Sequence, residues 1–173
     1  MSLTILAAGA VVWRKSKKNK IEVVIIHRPK YDDWTFPKGK AEISEPLISC
    51  AYREVLEETN IETAFGPYLG EVEYLTNDGK KKVSFWSAKA IKETVFKQNS
   101  EVDQIKWVEV MKVMVLLTLD ADKKILEKFI KIEPDTKPFI LLRHAKAITR
   151  DEWQGDDDDR PLDSYGQNQA KNY

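Results

Sequence analysis

The segment from Gly39 to Ile61 constrains the fold of this chain more than any other stretch of the sequence. Glu54, Glu57 and Glu58 are spaced so that they share one face of a helix, where their like charges repel one another. A cation is needed to offset that repulsion. The opposite face carries four apolar residues that can anchor the helix on a sheet: Leu47, Ile48, Ala51 and Val55. The segment therefore predicts a helix that is fixed to a sheet and carries a carboxylate cluster.

The residues around this carboxylate cluster indicate what it does. Clustered carboxylate oxygens suit Mg²⁺ or Mn²⁺ better than zinc. Directly before the helix, the loop WTFPKGKAE contains Lys38 and Lys40, and helix N-termini and nearby lysines attract phosphate. A solvated acidic helix with surface ion pairs is the alternative interpretation of the glutamates alone. A metal site beside phosphate-binding groups favours phosphoryl chemistry.

The rest of the chain predicts an α/β fold, an α/β/α sandwich with a mixed sheet. Pro29–Ala41 is predicted to be a loop, and Ser44 is expected to cap the first helix, which runs to about Thr59 with Glu45 and Pro46 in its first turn. A turn is predicted at Asn77-Asp78-Gly79. The predicted strands are Leu3–Trp13, Glu22–His27, Tyr68–Leu75, Lys82–Ala90 and Ile105–Val110, and a second helix is predicted over Asp120–Lys131.

Composition excludes several classes of protein. Lys plus Arg equals Asp plus Glu at 28 each, which argues against general nucleic-acid binding. Cys50 is the only cysteine, so no intrachain disulfide can form, and this fits a reducing compartment. The apolar run Leu3–Trp13 is too short to span a bilayer. We therefore expect a cytoplasmic protein with no membrane partner.

The segment Gly39–Ile61 resembles the Nudix box, G-x5-E-x7-R-E-U-x-E-E-x-G-U, in which U is aliphatic. Asn60 stands where the box has glycine, and Asn is the residue that next best tolerates the left-handed backbone of a helix end. The resemblance covers residues 1–134 and implies a Nudix hydrolase domain there. The matching positions are Gly39, Glu45, Arg53, Glu54, Val55, Glu57, Glu58 and Ile61.

This resemblance implies metal-assisted hydrolysis of a diphosphate linkage, with Mg²⁺ as cofactor and Mn²⁺ as a substitute. Glu54, Glu57 and Glu58 resemble the metal ligands of the family, and the carbonyl of Lys38 often joins them. Arg53 resembles the residue that positions Glu54, and Glu45 a supporting acid. A further ligand or catalytic base usually comes from a later loop; Glu101 is the candidate, with an ordinary surface glutamate as the alternative.

Substrate contacts are predicted around the same loop. Arg28, Lys38 and Lys40, with Gly39 between the two lysines, are expected to hold phosphates; ordinary surface charge is the alternative. Four aromatic residues are candidates for stacking on a base, although aromatic residues in strands more often belong to a core. They are Tyr31, Trp34, Tyr74 and Trp86.

A second signal begins after the prolines of Glu133–Pro138. The apolar strand Phe139–Leu142, then Arg143 and His144, and later Arg160-Pro161-Leu162, resemble the start of a histidine phosphatase domain. That family also needs a later second histidine, and the only other histidine is His27. We therefore expect residues 135–173 to be a truncated N-terminal piece of such a domain, a strand and a partial helix, with a vestigial Arg143, His144 and Arg160. MutT-like proteins with this domain order exist.

Four functions remain open from the sequence. The first is hydrolysis of nucleoside triphosphates, including oxidised forms such as 8-oxo-dGTP, as in MutT-like nucleotide-pool sanitation. The second is hydrolysis of diadenosine or inositol polyphosphates, whose enzymes the FPKGK loop resembles. The third is a non-catalytic module that senses nucleotides, and the fourth is phosphatase activity from His144. The expected partner is a small-molecule nucleotide; a homodimer, with Phe139–Leu142 docked on a second copy or on its own Nudix domain, is also left open.

Overall fold

The computed structural model describes residues 4–76, 79–136 and 144–171. The chain forms two compact units, Met1–Pro138 and Phe139–Tyr173. The first unit contains strands β1 (Thr4–Lys15), β2 (Ile21–Arg28), β3 (Asp33–Thr35), β4 (Lys38–Lys40), β5 (Ile61–Thr76), β6 (Gly79–Glu93) and β7 (Gln104–Glu109). Its helices are α1 (Leu47–Thr59), α2 (Val110–Val113) and α3 (Asp120–Ile130).

These seven strands form one mixed sheet, as predicted. The main path is β3-β2-β1-β6-β5, while β4 pairs with β1 and β7 pairs with β2. β1 and β6 are parallel, and the other pairs are antiparallel. β1 lies in the middle of the path, which explains why its apolar run from Ala7 to Trp13 is continuous and fully buried.

Alternate residues of β1 face two different helices. Ala7, Val11 and Trp13 belong to the core that α3 covers with Ile125, Leu126 and Phe129. Ala8 packs against Cys50 and Ala51 of α1, and Ala10 and Val12 pack with Val55. This period of two places the helices on opposite faces of the sheet, which confirms the predicted α/β/α sandwich.

Several local predictions were wrong. Pro29–Ala41 is not only a loop, because β3 and β4 pair there with β2 and β1. Ser44 does not cap α1; it has a φ of 63° in a turn, and the helix begins at Leu47 after Pro46 without a side-chain cap. Ile48 is 46% exposed and does not anchor the helix, whereas Ala51 and Val55 are buried.

The hairpin strands are longer than predicted. β5 extends from Ile61 to Thr76 and β6 from Gly79 to Glu93, with register shifts near Thr63 and Tyr68 that interrupt the simple alternation. The predicted turn at Asn77-Asp78-Gly79 lies mostly outside the described residues. α2, which directly follows β7, was not predicted because four residues are too few to show helical periodicity.

The second unit is described from residue 144 to residue 171. Ala147 and Leu162 form an isolated antiparallel bridge, and helix α4 (Ser164–Ala170) begins after Asp163, whose side chain accepts a hydrogen bond from the Gly166 N–H. The predicted strand Phe139–Leu142 lies outside the described residues, and the assignment of this unit to a phosphatase domain stays a prediction. Among the described helices of the chain, none is long and apolar enough to cross a membrane.

Candidate active site

A cavity of about 390 Å³ opens beside α1. Its lining combines carboxylates with cations: the acidic residues are Glu54, Glu58 and Glu101, the cationic residues are Arg28, Lys30, Lys38, Lys40 and Lys81, and the remainder are Tyr31, Gly39 and Ser100. The structure therefore brings most of the predicted site residues together. Lys30, Lys81 and Ser100 were missed because none of them belongs to a motif.

Two of the three clustered glutamates are buried at this cavity. Glu54 is 8% exposed and Glu58 is 4% exposed, and the backbone N–H of Lys38 donates a 2.8 Å hydrogen bond to Glu58. Burial raises the pKa of Glu54, and burial raises the pKa of Glu58 to about 8. Glu57 is exposed and is not part of the cavity lining, although it shares the helix with them.

Gly39 allows β4 to pass directly over α1. A Cβ at this position would overlap the carboxylate of Glu54, far inside van der Waals contact. The position therefore accepts no larger residue without moving Glu54. This gives a physical reason for the glycine that begins the Nudix-like motif.

Arg53 connects α1 to the segment that precedes it. Its guanidinium donates to both carboxylate oxygens of Glu45, at 2.9 and 2.8 Å, and to the carbonyl of Lys40 at 3.1 Å. It also contacts Glu54 at 2.7 Å and Glu57 at 3.3 Å. The contact with Arg53 lowers the pKa of Glu45 to about 2. Arg53 is thus placed to hold both the loop and Glu54.

Asn60 ends α1 in the left-handed conformation, with φ 57° and ψ 30°. Its side-chain oxygen accepts a 3.2 Å hydrogen bond from the N–H of Lys97, which precedes the segment carrying Glu101. Asparagine therefore provides the backbone conformation that the motif glycine would adopt and adds a side-chain contact of its own.

The Lys38 side chain does not lie where a phosphate-binding group was expected. It is buried, with its ammonium 3.3 Å from a carboxylate oxygen of Asp122 and 3.1 Å from the carbonyl of Phe36. It also contacts Thr35 Oγ1. Burial lowers the pKa of Lys38. The prediction that its ammonium holds phosphate is therefore corrected: this charge is neutralised inside the fold by a residue that sequence reasoning missed.

Other cations are better placed. Arg28 pairs with Asp33 through two hydrogen bonds, at 2.8 and 2.5 Å, and its guanidinium lies 4.6 Å from the centre of the Tyr31 ring. Tyr31 is 60% exposed. Lys81, on β6, is crowded by positive charge: burial lowers its pKa, and Lys38, Arg28 and Lys40 lower it further. An anion in the cavity would stabilise these cations.

Three predicted stacking residues lie elsewhere. Trp34 packs against the α3-side core, with its ring 5.1 Å from that of His27 and the ammonium of Lys106 over it at 4.0 Å. Tyr74 packs against the same core, and burial raises its pKa to about 12. Trp86 packs with Tyr68 and with Phe65. None of the three belongs to the described cavity lining, so Tyr31 alone keeps the predicted position.

The phosphatase-like residues are described only in part. Arg143 lies outside the described residues. His144 is exposed and its Nδ1 lies 2.8 Å from the carbonyl of Ala145, while Arg160 donates to the carbonyl of Ile148 at 2.8 Å and pairs with Asp157 at 2.9 Å. These contacts are structural hydrogen bonds and ion pairs within the second unit.

The donor set at the cavity fits a hard divalent cation by its chemistry. Within residues 4–76, 79–136 and 144–171, no group of three His, Cys, Asp or Glu side chains is arranged to hold a metal ion. Arg53 donates hydrogen bonds to the carboxylates of Glu54 and Glu57. Yet Glu54 and Glu58 are buried carboxylates whose pKa values are raised by burial, so their ionised forms need more charge compensation than Arg53 and Lys38 provide. A divalent cation on these oxygens would supply it.

Comparison with known proteins agrees with this geometry. Residues 3–129 match the family model described as the NUDIX domain. The match covers more than half of the chain and contains α1, β4 and the loop of Glu101. The chain therefore belongs to the Nudix family.

Two individual relatives and one solved structure are similar to this chain. The chain is 40% identical to an 8-oxo-(d)GTP phosphatase of Mycolicibacterium smegmatis over 97% of its own length and 54% of that protein, so it spans about half of this relative. It is 24% identical to mRNA-decapping enzyme subunit 2 of Saccharomyces cerevisiae, over 94% of its length and 16% of that protein. A crystal structure of a C. elegans Ap4A hydrolase binary complex superposes with a TM-score of 0.66 at 26% identity, covering 73% of this chain and 95% of that one.

Proposed function

We propose that this chain is a Mg²⁺-dependent pyrophosphohydrolase that cleaves a diphosphate linkage in nucleoside triphosphates, including oxidised ones such as 8-oxo-dGTP. The observation that carries the proposal is the joining, in one cavity, of the buried carboxylates Glu54 and Glu58 with the cations Arg28, Lys40 and Lys81. A polyphosphate with a divalent cation complements both halves of that lining. The 40% identity to an 8-oxo-(d)GTP phosphatase supports the substrate class.

In this proposal each residue has a separate role. Glu54, Glu57, Glu58 and the carbonyl of Lys38 would hold Mg²⁺, and Arg53 would keep Glu54 in place. When bound, the ion supplies positive charge against the diphosphate and lowers the pKa of an attacking water. Glu101 would accept the proton, because it is an exposed carboxylate that borders the same cavity.

Substrate binding would rest on the cations around the carboxylates. Arg28, Lys40 and Lys81 would hold the phosphates beside the backbone of Gly39, and the exposed ring of Tyr31 would stack on the base. The guanidinium of Arg28 over the Tyr31 ring would place base contact and phosphate contact next to each other. This arrangement suits a nucleotide better than a simple phosphomonoester.

Hydrolysis of diadenosine polyphosphates is the second candidate. It is supported by the likeness to the C. elegans Ap4A hydrolase and by the number of cations in the cavity, which suits a long phosphate chain. A second adenosine would need a second stacking surface, and Tyr31 is the sole exposed aromatic ring in the described lining. We therefore place nucleoside triphosphates first.

The test is a hydrolysis screen with product identification. The substrates are dGTP, 8-oxo-dGTP, diadenosine tetraphosphate, an inositol polyphosphate and p-nitrophenyl phosphate, each with Mg²⁺, with Mn²⁺ and with EDTA. We expect cleavage inside the phosphate chain of a nucleotide and none in EDTA. Preference for p-nitrophenyl phosphate, or full activity in excess EDTA, would contradict the proposal.

Matched variants locate the activity. Glu58→Gln should reduce kcat/KM at least as much as the roughly 10–100-fold typical of residues one step further from a metal. Glu71→Gln is the control, because Glu71 is an exposed glutamate on β5 paired with Lys82 at 2.7 Å. It should keep wild-type activity. Equal loss in both variants would show that charge in general, not this cavity, matters.

A further inference from the structure

His27, near the end of β2, contacts a carboxylate with each nitrogen of its ring. Its Nδ1 lies 2.7 Å from Asp103 Oδ1, and its Nε2 lies 3.1 Å from Asp32 Oδ1. Ionised carboxylates only accept hydrogen bonds, so both ring nitrogens must donate. A neutral imidazole carries one N–H. Two carboxylate acceptors therefore select the protonated ring.

The two carboxylates belong to two different segments that border the cavity. Asp103 ends the segment that carries Ser100 and Glu101, and its N–H also donates to the carbonyl of His27 at 3.3 Å. Within that segment the Asn99 side chain accepts hydrogen bonds from the N–H groups of Glu101 and Val102, both at 2.8 Å. Val102 belongs to this turn and directly precedes Asp103. A contact that restrains Asp103 therefore also restrains the turn that carries Glu101.

The second segment is the turn between β2 and β3. Asp32 stands there with a φ of 51°, next to Tyr31 and Lys30, which line the cavity. Its side chain is 95% exposed, so the bond to His27 is its one described side-chain contact. Without that bond, the turn keeps the backbone hydrogen bonds from Tyr31 and Asp32 to the Arg28 carbonyl and the contacts of the Arg28 side chain with Tyr31 and Asp33.

The two carboxylates that contact His27 favour its protonation, whereas the groups on the neighbouring strands add no further negative charge. On β3, Asp33 forms an ion pair with Arg28, and the Trp34 ring lies beside the imidazole. On β7, the neutral Gln104 is opposite His27, and the ammonium of Lys106 lies over Trp34. The hydrogen bond to Asp103, followed by that to Asp32, raises the pKa of His27 above 6.5 against the effect of burial.

We propose that His27 is a positioning residue, a protonated clamp that holds the Glu101 segment and the Tyr31 turn against the cavity. The proposal rests on the proposed function for its catalytic consequence, but not for its structural part. The clamp contributes stability fully below pH 6.5 and loses it as the pH rises through the raised pKa of the folded state. Above that pKa, both segments should loosen while the carboxylates of α1 stay in place.

The chain offers a direct readout, because it has only two histidines. Imidazole NMR on wild type and His144→Gln assigns both rings. We expect His27 to have a pKa above 6.5, to carry both N–H protons at pH values below that pKa, and to show a pKa that falls toward 6.5 in Asp103→Asn. Asp120→Asn, a charge-matched surface change at a residue paired with Lys123 at 3.0 Å, should leave it unchanged. A His27 pKa that lies at or below 6.5 and does not change in Asp103→Asn would overturn the proposal.

Two further measurements test the positioning role. Amide exchange protection of residues 99–103 and 30–32 should fall across the His27 titration, and protection in α1 should not. We also expect kcat/KM to fall as the pH rises through the pKa of His27. In Asp103→Asn this fall should move to lower pH by as much as the pKa measured by NMR does. Unchanged protection in both segments would sink the positioning role. If titration and protection behave as expected but no nucleotide is cleaved, the proposed function fails and the clamp stands.

Discussion

At the scale of single residues, the site depends on close contacts around two buried carboxylates. Glu58 accepts a hydrogen bond from the Lys38 N–H. The Glu54 carboxylate packs directly against Gly39 and accepts a hydrogen bond from Arg53. Each contact holds in place a carboxylate whose burial is unfavourable for its charged form. The spacing of these residues along α1 matters only because the β4 backbone covers them.

The first prediction concerns Gly39. Gly39→Ala should displace the Glu54 carboxylate and lower kcat/KM by about 100-fold, the effect of a displacement of about 1 Å in a catalytic site. Gly66→Ala is the matched control, because its Cβ would lie 3.5 Å from the Ser87 carbonyl, an ordinary contact. The control should keep activity and change stability by less than about 1 kcal/mol. Full activity in Gly39→Ala would show that Glu54 need not stay where it lies.

At the scale of elements, α3 supports the site from the opposite side of the sheet. Asp122 is fully buried on α3 and accepts from the Phe36 N–H at 3.2 Å, from Lys38 and from Thr35. The Lys38 backbone then reaches Glu58 on α1. One carboxylate thus connects the last helix of the first unit to the loop between β3 and β4.

The second prediction tests this connection. Asp122→Asn leaves the buried Lys38 ammonium without its counter-charge and should destabilise the domain by about 3–5 kcal/mol. Asp122→Leu with Lys38→Met removes both charges and should recover much of that stability in denaturant unfolding. Activity should stay low in the double variant, because the Phe36 N–H and Thr35 lose the acceptor that positions their loop. Recovery of both stability and activity would mean that Asp122 serves charge balance alone.

The third prediction concerns the start of α1 and its dependence on pH. The folded pKa of Glu45 is about 2, below its ordinary 4.5, because Arg53 donates to it. The contact therefore stabilises the fold fully above pH 4.5, and its contribution disappears as the pH falls toward 2. The difference in Tm between wild type and Glu45→Gln should shrink as the pH is lowered through this range. A constant difference would indicate that the pairing of Glu45 with Arg53 does not depend on its charge.

At the scale of the whole molecule, the proposed chemistry belongs to the first unit. The cavity, α1 and the Glu101 segment all lie within Met1–Pro138, which also contains the whole Nudix match. In the second unit, the described phosphatase-like residues His144 and Arg160 bond to backbone carbonyls of their own unit.

The fourth prediction follows from this separation. His144→Ala should leave nucleotide hydrolysis within about twofold of wild type, the range of an ordinary surface substitution. The measurement is kcat/KM for the best nucleotide, with circular dichroism to confirm folding. Incubation with a phosphomonoester should trap no phosphohistidine. A trapped phosphohistidine at His144, or loss of hydrolysis with the fold intact, would contradict it.

The sequence by itself determined the helix of the site and its carboxylates. The spacing of Glu54, Glu57 and Glu58, the apolar positions Ala51 and Val55, and the left-handed end at Asn60 depend on contacts within about one turn of the same helix. Five of the seven strands of the described sheet, β1, β2, β5, β6 and β7, were also predicted from their apolar residues, whereas β3 and β4, of three residues each, were not. Such local patterns can be detected without knowing what the helix or strand packs against.

Only the tertiary structure decided which charges face the cavity. Lys38 and Lys40 look equivalent in the sequence, but Lys38 is buried against Asp122, 84 residues later, and Lys81 enters the lining from β6. His27 meets Asp103 across 76 residues, and Trp34 packs on the core instead of bordering the cavity. These outcomes depend on strand pairing and helix packing between distant segments, which no local pattern encodes.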